Sequence, residues 1–189
     1  MYPLTLAGPS VVLREFRETD LEAVHAVVGD QRVTDWLSFD ARTPEQATTM
    51  LSGILSRAQE EPRHEYYLAV ALPRTDVLVG FVRLALDGVQ AGKLGYAIAY
   101  DHWGHGYATD AIRSMVTFGF RDLGLHRISA AIGPDNAGSI AVVRRLGFTA
   151  EGRIRHHVFT NGAWRDSLLF SILADEWVST PAAATRAAA

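Results

Sequence analysis

The residues best suited to chemistry in this chain are glycines. Trp103-Gly104-His105-Gly106-Tyr107-Ala108-Thr109 lies between a stretch of strand character, Leu94 to Ala99, and one of helix character, Asp110 to Leu123. A strand that breaks into a glycine-spaced turn and then a helix can build an anion site. Glycine has no Cβ, so the backbone can approach a ligand closely. The first N–H groups of a helix lack intrahelical partners, and the macrodipole adds about half a positive charge at that end. A pyrophosphate can therefore be held there by main chain, with few basic side chains. Two commoner phosphate loops are excluded. No Gly-Lys-Ser/Thr ends the turn, and no G-x-G-x-x-G follows an N-terminal strand.

The pattern x-G-x-G-x-A from Trp103 to Ala108 resembles the acetyl-coenzyme A loop of the GNAT N-acetyltransferases, written Gln/Arg-x-x-Gly-x-Gly/Ala. Gly106 and Ala108 match its last two fixed positions. Trp103 stands where Gln or Arg is usual. That departure resembles the ribosomal-protein (RimJ/RimL-like) branch, which often carries Trp-Gly-x-Gly-Tyr-Ala-Thr. Asn136-Ala137-Gly138-Ser139, then Val143, Leu146-Gly147-Phe148 and Glu151-Gly152, is similar to the second signature of that branch and follows at the expected distance. The resemblance spans about Val11 to Trp177.

The resemblance implies an acetyl-coenzyme A-dependent N-acetyltransferase acting on a protein or peptide α-amine or a small-molecule amine. It implies a gap between strands Lys93–Ala99 and His126–Ile132 in which the pantetheine arm lies, as a small-molecule form of strand addition. Ile98 and Ala99 would offer backbone hydrogen bonds to pantetheine. Trp103, Gly104, His105, Gly106, Tyr107, Ala108 and Thr109 would form the pyrophosphate loop, with Tyr107 also packing. His105 either adds charge there or faces solvent. Asn136 matches the position whose side chain bonds pantetheine; it is equally an N-cap of the helix that follows, and both can hold. Ser139 matches a hydroxyl near the coenzyme sulfur, able to protonate the leaving thiolate. Arg144 or Arg145 would meet the adenosine phosphate. No metal is implied. A homodimer is frequent in this branch.

Acetyl transfer needs a neutral amine and a donor for the oxyanion, here the Ile98 or Ala99 amide. An α-amine with pKa near 8 is about a tenth neutral at pH 7, whereas a lysine near 10.4 is mostly charged. A weak base or a water therefore suffices for an α-amine. The base candidates are His156 and His157, on the penultimate strand. Strand alternation places at most one of them in the site. Where some relatives carry an acidic residue just before Asn-Gly, this chain has Val158-Phe159-Thr160. That absence motivates an alternative, a non-catalytic acyl-coenzyme A-binding or regulatory module of the same fold. The acceptor wall is expected from Trp36, Phe39 and Arg14.

The elements that must position these residues follow from pattern. With 189 residues, 48% of them hydrophobic, the chain suits one domain with a real core. We expect that domain over 1–178 and an Ala-rich tail over 179–189. The chain has no cysteine, which excludes disulfides and thiol nucleophiles and removes the commonest zinc ligands. Net charge is −3, so no nucleic-acid footprint is expected. No signal peptide is visible, and no apolar run approaches the ~20 residues needed to span a membrane. The expectation is a soluble cytoplasmic protein.

Val11–Phe16 reads as a first strand. Capping boxes at Thr19–Glu22 and Thr43–Gln46, the second with Pro44 at N1, open two helices. Gln31 to Arg42 reads as a loop. Strands follow at Tyr66–Leu72, Val77–Leu86 and Lys93–Ala99, then the helix from Asp110, a strand His126–Ile132 and a helix to Leu146. A hairpin of Phe148–Phe159 and Trp164–Leu173 turns at Asn161-Gly162, a type I′ signal. The order is βααβββαβαββ. That is an α+β fold with a mixed, mostly antiparallel sheet of about seven strands flanked by four helices, which agrees with the fold the resemblance implies.

Overall fold

Apolar residues on both faces of the central strands oblige the sheet to be covered on both sides. The strand Glu65–Ala71 shows this: Tyr66, Leu68 and Val70 join one buried cluster, while Tyr67 and Ala69 join another. A computed structural model describes residues 2–177. The expected tail, 179–189, lies outside the described residues. The elements are β1 (Thr5–Ala7), β2 (Val12–Arg14), α1 (Leu21–Val28), α2 (Gln31–Thr34), α3 (Pro44–Ala58), β3 (Glu65–Ala71) and β4 (Leu78–Leu86). Then come β5 (Ala91–Ile98), α4 (Tyr107–Arg121), β6 (Arg127–Ile132), α5 (Ala137–Arg145), β7 (Thr149–Thr160) and β8 (Ala163–Leu173).

The strands form one eight-stranded sheet in the order β1-β2-β3-β4-β5-β6-β8-β7. Every pairing is antiparallel except β5 with β6. Helices α1 and α3 cover one face, where Val24, Val27, Leu51 and Ile54 meet Phe16, Tyr67 and Phe81. Helices α4 and α5 cover the other, where Ile112, Met115, Phe118 and Val143 meet Leu84, Ile128 and Phe170. Among the described residues no helix is long and apolar enough to cross a membrane.

Two elements exceed the expected pattern. β1 forms in the lead-in because that segment is tied down: Asp110 accepts from the Ser10 and Val11 amides at 2.6 and 3.0 Å. The short helix α2 sits inside the expected loop because Asp30 caps it, accepting from the Arg32 amide at 2.9 Å. The Thr43–Gln46 box forms in both directions. The Thr19–Glu22 box does not. Asp20 instead takes the Arg17 amide at 2.8 Å and a bidentate bond from Arg14, so a short 3₁₀ turn precedes α1. Asn161 and Gly162 have φ of 51° and 72°, as a type I′ turn requires.

The feature that positions the site is an incomplete strand pairing. β5 and β6 pair only over Ala91–Lys93 and Arg127–Ser129. β5 continues to Ile98, still paired with β4 on its other edge as far as Gly80. The sheet therefore splits after Lys93. Gly80 permits the close approach that steers β5 there: a Cβ on it would lie 2.2 Å from the Ala97 carbonyl oxygen.

Candidate active site

Peptide groups along an antiparallel strand point alternately to either neighbour. The Ala99 amide donates to the Val79 carbonyl at 2.8 Å, on the β4 side. The peptide groups of Ile98 and Tyr96 therefore face the split. Ala99 does not offer its amide to a ligand as expected, because the β4 ladder has already taken it. Tyr96, two residues before Ile98, was missed by sequence reasoning, although strand periodicity alone assigns it the same direction. The Ile98 carbonyl accepts from the Trp103 indole N–H at 2.7 Å. Trp103 thus folds the loop back onto the strand end, which gives a reason for tryptophan at that position.

The loop itself is built by two left-handed glycines, Gly104 at φ 79° and Gly106 at φ 80°. Added Cβ atoms at either would meet nothing within 4 Å. The glycines thus serve backbone conformation rather than close packing within the protein, and the space beside them is open. Gly106 is the N-cap of α4 with no side-chain cap, and α4 starts at Tyr107, three residues earlier than expected. Among the described residues the amides of Gly104, His105, Gly106, Tyr107, Ala108 and Thr109 have no assigned acceptor. Clustered orphan amides at a helix N-terminus fit a diphosphate. His105 is exposed and stacks on Tyr107 with ring centroids 5.4 Å apart. Tyr107 packs against the core.

Across the split, Asn136 caps α5, accepting from the Ser139 amide at 3.0 Å. Its side-chain NH₂ remains available to donate. Ser139 is held from a second direction, since the Tyr96 hydroxyl donates to its carbonyl at 3.4 Å. Burial pushes the Tyr96 phenol up to about 12, so it stays protonated and able to donate. Arg144 and Arg145 lie exposed in the last turn of α5, away from its Asn136 cap.

A cavity of about 520 Å³ opens beside the end of β6 and the start of α5. Trp36, Leu37, Asp135, His156, His157, Trp164, Arg165, Asp166 and Ser167 contribute to its wall. Both histidines line it, contrary to the expectation of at most one. The reason is a bulge: Ile154 pairs with Ser167 but Val158 with Arg165, so β7 carries two residues more than β8 between those pairs. His156 takes up the irregularity at φ 48° and stacks on Trp164. The His157 Nδ1 lies 3.0 Å from the Ser167 hydroxyl, which leaves Nε2 without a protein partner among the described residues. Ser167 was invisible beforehand, since only the bulge brings it to His157.

The carboxylates missing before Asn161 arrive from elsewhere: Asp35, Asp135 and Asp166 all line the cavity. The His156 amide and the Arg153 guanidinium hold Asp166 below the usual carboxylate range, so it serves as an anion and not as a proton acceptor near neutrality. Two expected wall residues lie elsewhere. Arg14 is buried in ion pairs with Asp20 at 2.8 Å and Asp76 at 2.7 Å, because a guanidinium under the sheet needs full pairing. Phe39 faces a separate cavity, beside Arg42.

The acetyltransferase (GNAT) domain model matches residues 10–149. The N-acetyltransferase YoaA of Bacillus subtilis is 30% identical over 179 residues, covering 92% of this chain and 98% of that protein. The spermidine N(1)-acetyltransferase of Escherichia coli K12 is 24% identical, covering 90% of this chain and 89% of that one. Among solved structures, Mycobacterium smegmatis RimJ in complex with CoA-disulfide superimposes with a TM-score of 0.83 at 26% identity, covering 94% of this chain and 91% of that one. With the split sheet and the orphan amides of α4, these likenesses place the chain: it belongs to the GNAT acetyltransferases, with RimJ/RimL-like neighbours, and is an acetyl-coenzyme A-dependent N-acetyltransferase.

Proposed function

We propose that the split between β5 and β6 is the bench on which an α-amine is acetylated, with residues 1–178 acting as one catalytic unit. One observation carries the reading. The unpaired edge of β5, the orphan amides of α4 and Ser139 border the split, and a cavity with an oriented histidine opens beside it. On this reading the amides of Gly104 to Thr109 hold the diphosphate and Arg145 meets the adenosine phosphate. The peptide groups of Tyr96 and Ile98 and the Asn136 side chain hold pantetheine. The Ile98 N–H faces the oxygen on which negative charge develops. Ser139 returns a proton to the leaving thiolate.

His157 is the better base of the pair, because Ser167 orients its ring through Nδ1 and leaves Nε2 without a protein partner among the described residues. His156 is the wall on which Trp164 stacks. A histidine is too weak to strip a lysine but matches an α-amine, already about a tenth neutral at pH 7. The acceptor is therefore the N-terminal α-amine of a peptide or protein entering past Trp36 and Trp164, with a small amine of low pKa as its competitor. The setting is the cytoplasm, and the working form is a homodimer.

Coenzyme release measured with acetyl-coenzyme A against peptides of varied N-terminus, lysine side-chain analogues and small amines tests this. Turnover is expected on α-amines well above lysine analogues. Saturable acetyl-coenzyme A binding with no transfer to any acceptor would support the non-catalytic module instead.

A further inference from the structure

A second cavity, of about 630 Å³, lies on the α1–α3 face and has no part in the chemistry above. Its wall includes Phe39, Arg42, Met50, Glu65, Tyr67 and Arg83. Tyr67 is 8% exposed, and its ring is pinned edge-on by Phe16 and tilted against Phe81. Its hydroxyl makes no hydrogen bond to another described residue, and Tyr67 lines the cavity. A phenol O–H with no protein acceptor is free to donate to a ligand in the cavity. Burial also pushes its pKa up, so it is a donor at any physiological pH.

The charges around it do not cancel. Glu65 is shared between Arg57, at 2.8 Å, and Arg83. Arg42 lies over the Phe39 ring at 4.9 Å and has no carboxylate partner among the described residues. Three arginines stand against Glu60 and Glu65 in the lining, which leaves an excess of one positive charge among these five side chains. One unpaired guanidinium, one unpaired phenol donor and an apolar floor of Phe39, Met50 and Ala85 match one kind of ligand.

We infer that this cavity is a second ligand site, taking an organic monocarboxylate whose apolar body packs on Phe39 and Met50 while its carboxylate meets Arg42 and the Tyr67 hydroxyl. Ser38 lines both this cavity and the acceptor cavity, so the occupant shares a wall with the acceptor. The monocarboxylate has two possible sources: the far end of the acceptor itself, or a separate small molecule.

The test uses the full chain with benzoate as probe and benzamide as its neutral control, read by calorimetry. Saturable benzoate binding is expected, with benzamide at least about tenfold weaker. Arg42→Gln, which breaks no ion pair, should weaken benzoate about tenfold or more, and Tyr67→Phe severalfold. Unchanged acetyl-coenzyme A affinity in both variants verifies their folding. Titration in the presence of a saturating peptide acceptor separates the sources: competition assigns the site to the acceptor's own tail, and simultaneous binding to an independent ligand. No saturable benzoate binding, equal binding of benzamide, or indifference to Arg42→Gln would each overturn the inference. Because the readout is binding and not turnover, these outcomes leave the reading of the acetyl-transfer site untouched.

Discussion

Ser139 is fixed at both its backbone groups, by Asn136 at the amide and Tyr96 at the carbonyl. On the proposed reading its hydroxyl protonates the thiolate that leaves. Ser139→Ala should lower kcat by about 10²-fold, while acetyl-coenzyme A affinity, read by calorimetry, stays within about twofold. A loss confined to affinity would remove Ser139 from proton transfer. His157 and His156 make a matched pair for the same kind of test. His157→Gln should lower kcat/KM on an α-amine acceptor by about 10²-fold. His156→Gln should leave kcat/KM within about twofold, since that ring is stacked on Trp164 and its backbone, not its side chain, bonds Asp166 at 2.8 Å.

At the scale of elements, the site depends on how β5 leaves β6. Gly80 faces Ile98 across the β4–β5 ladder, and no side chain fits there because the nearest obstacle is main chain. Gly80→Ala should force the strands apart, costing about 1–3 kcal/mol in chemical denaturation. It should also weaken acetyl-coenzyme A about tenfold, because Ile98 borders the split; a stable variant with full affinity would show that β5 is steered by something else. On the acceptor side, the hairpin of β7 and β8 is held to the segment before α3. Asn161 donates to Asp40 at 2.7 Å, and Arg165 donates to the carbonyls of Asp35 and Leu37. The cavity wall bearing Trp36 is thereby tied to the wall bearing His157, two elements far apart in the chain.

For the molecule as a whole, the ion pair of Glu151 makes one identifiable contribution to stability at low pH. Arg127 and the Ser171 hydroxyl draw the Glu151 carboxyl from 4.5 down to about 2. Its folded pKa lies below its unfolded one, so its contribution is complete above about pH 4.5 and is lost as pH falls toward 2. The pair links β6 to β7 across β8, but both side chains are a third exposed, so the effect is small. Glu151→Gln should lower Tm by about 2–4 °C at pH 6 and leave it unchanged near pH 2, measured by thermal melts across that range.

The amino-acid order by itself determined what is local. Glycines at 104 and 106 dictate a left-handed turn before a helix, Asn161-Gly162 dictates a tight hairpin, and Thr43 with Gln46 dictates a cap, because each effect acts within a few residues. The family, the glycine turn before α4 and the Asn136 cap of α5 were legible for that reason. What the tertiary structure decided depends on partners far away in sequence. Val79 claimed the Ala99 amide, and Asp20 and Asp76 claimed Arg14. A bulge in β7 turned both histidines to one cavity, and Ser167 met His157 only through it. Hydrogen-bond donors and acceptors are used up pairwise, and which pairs meet is set by strand register, a property of the folded sheet that no short stretch of chain contains.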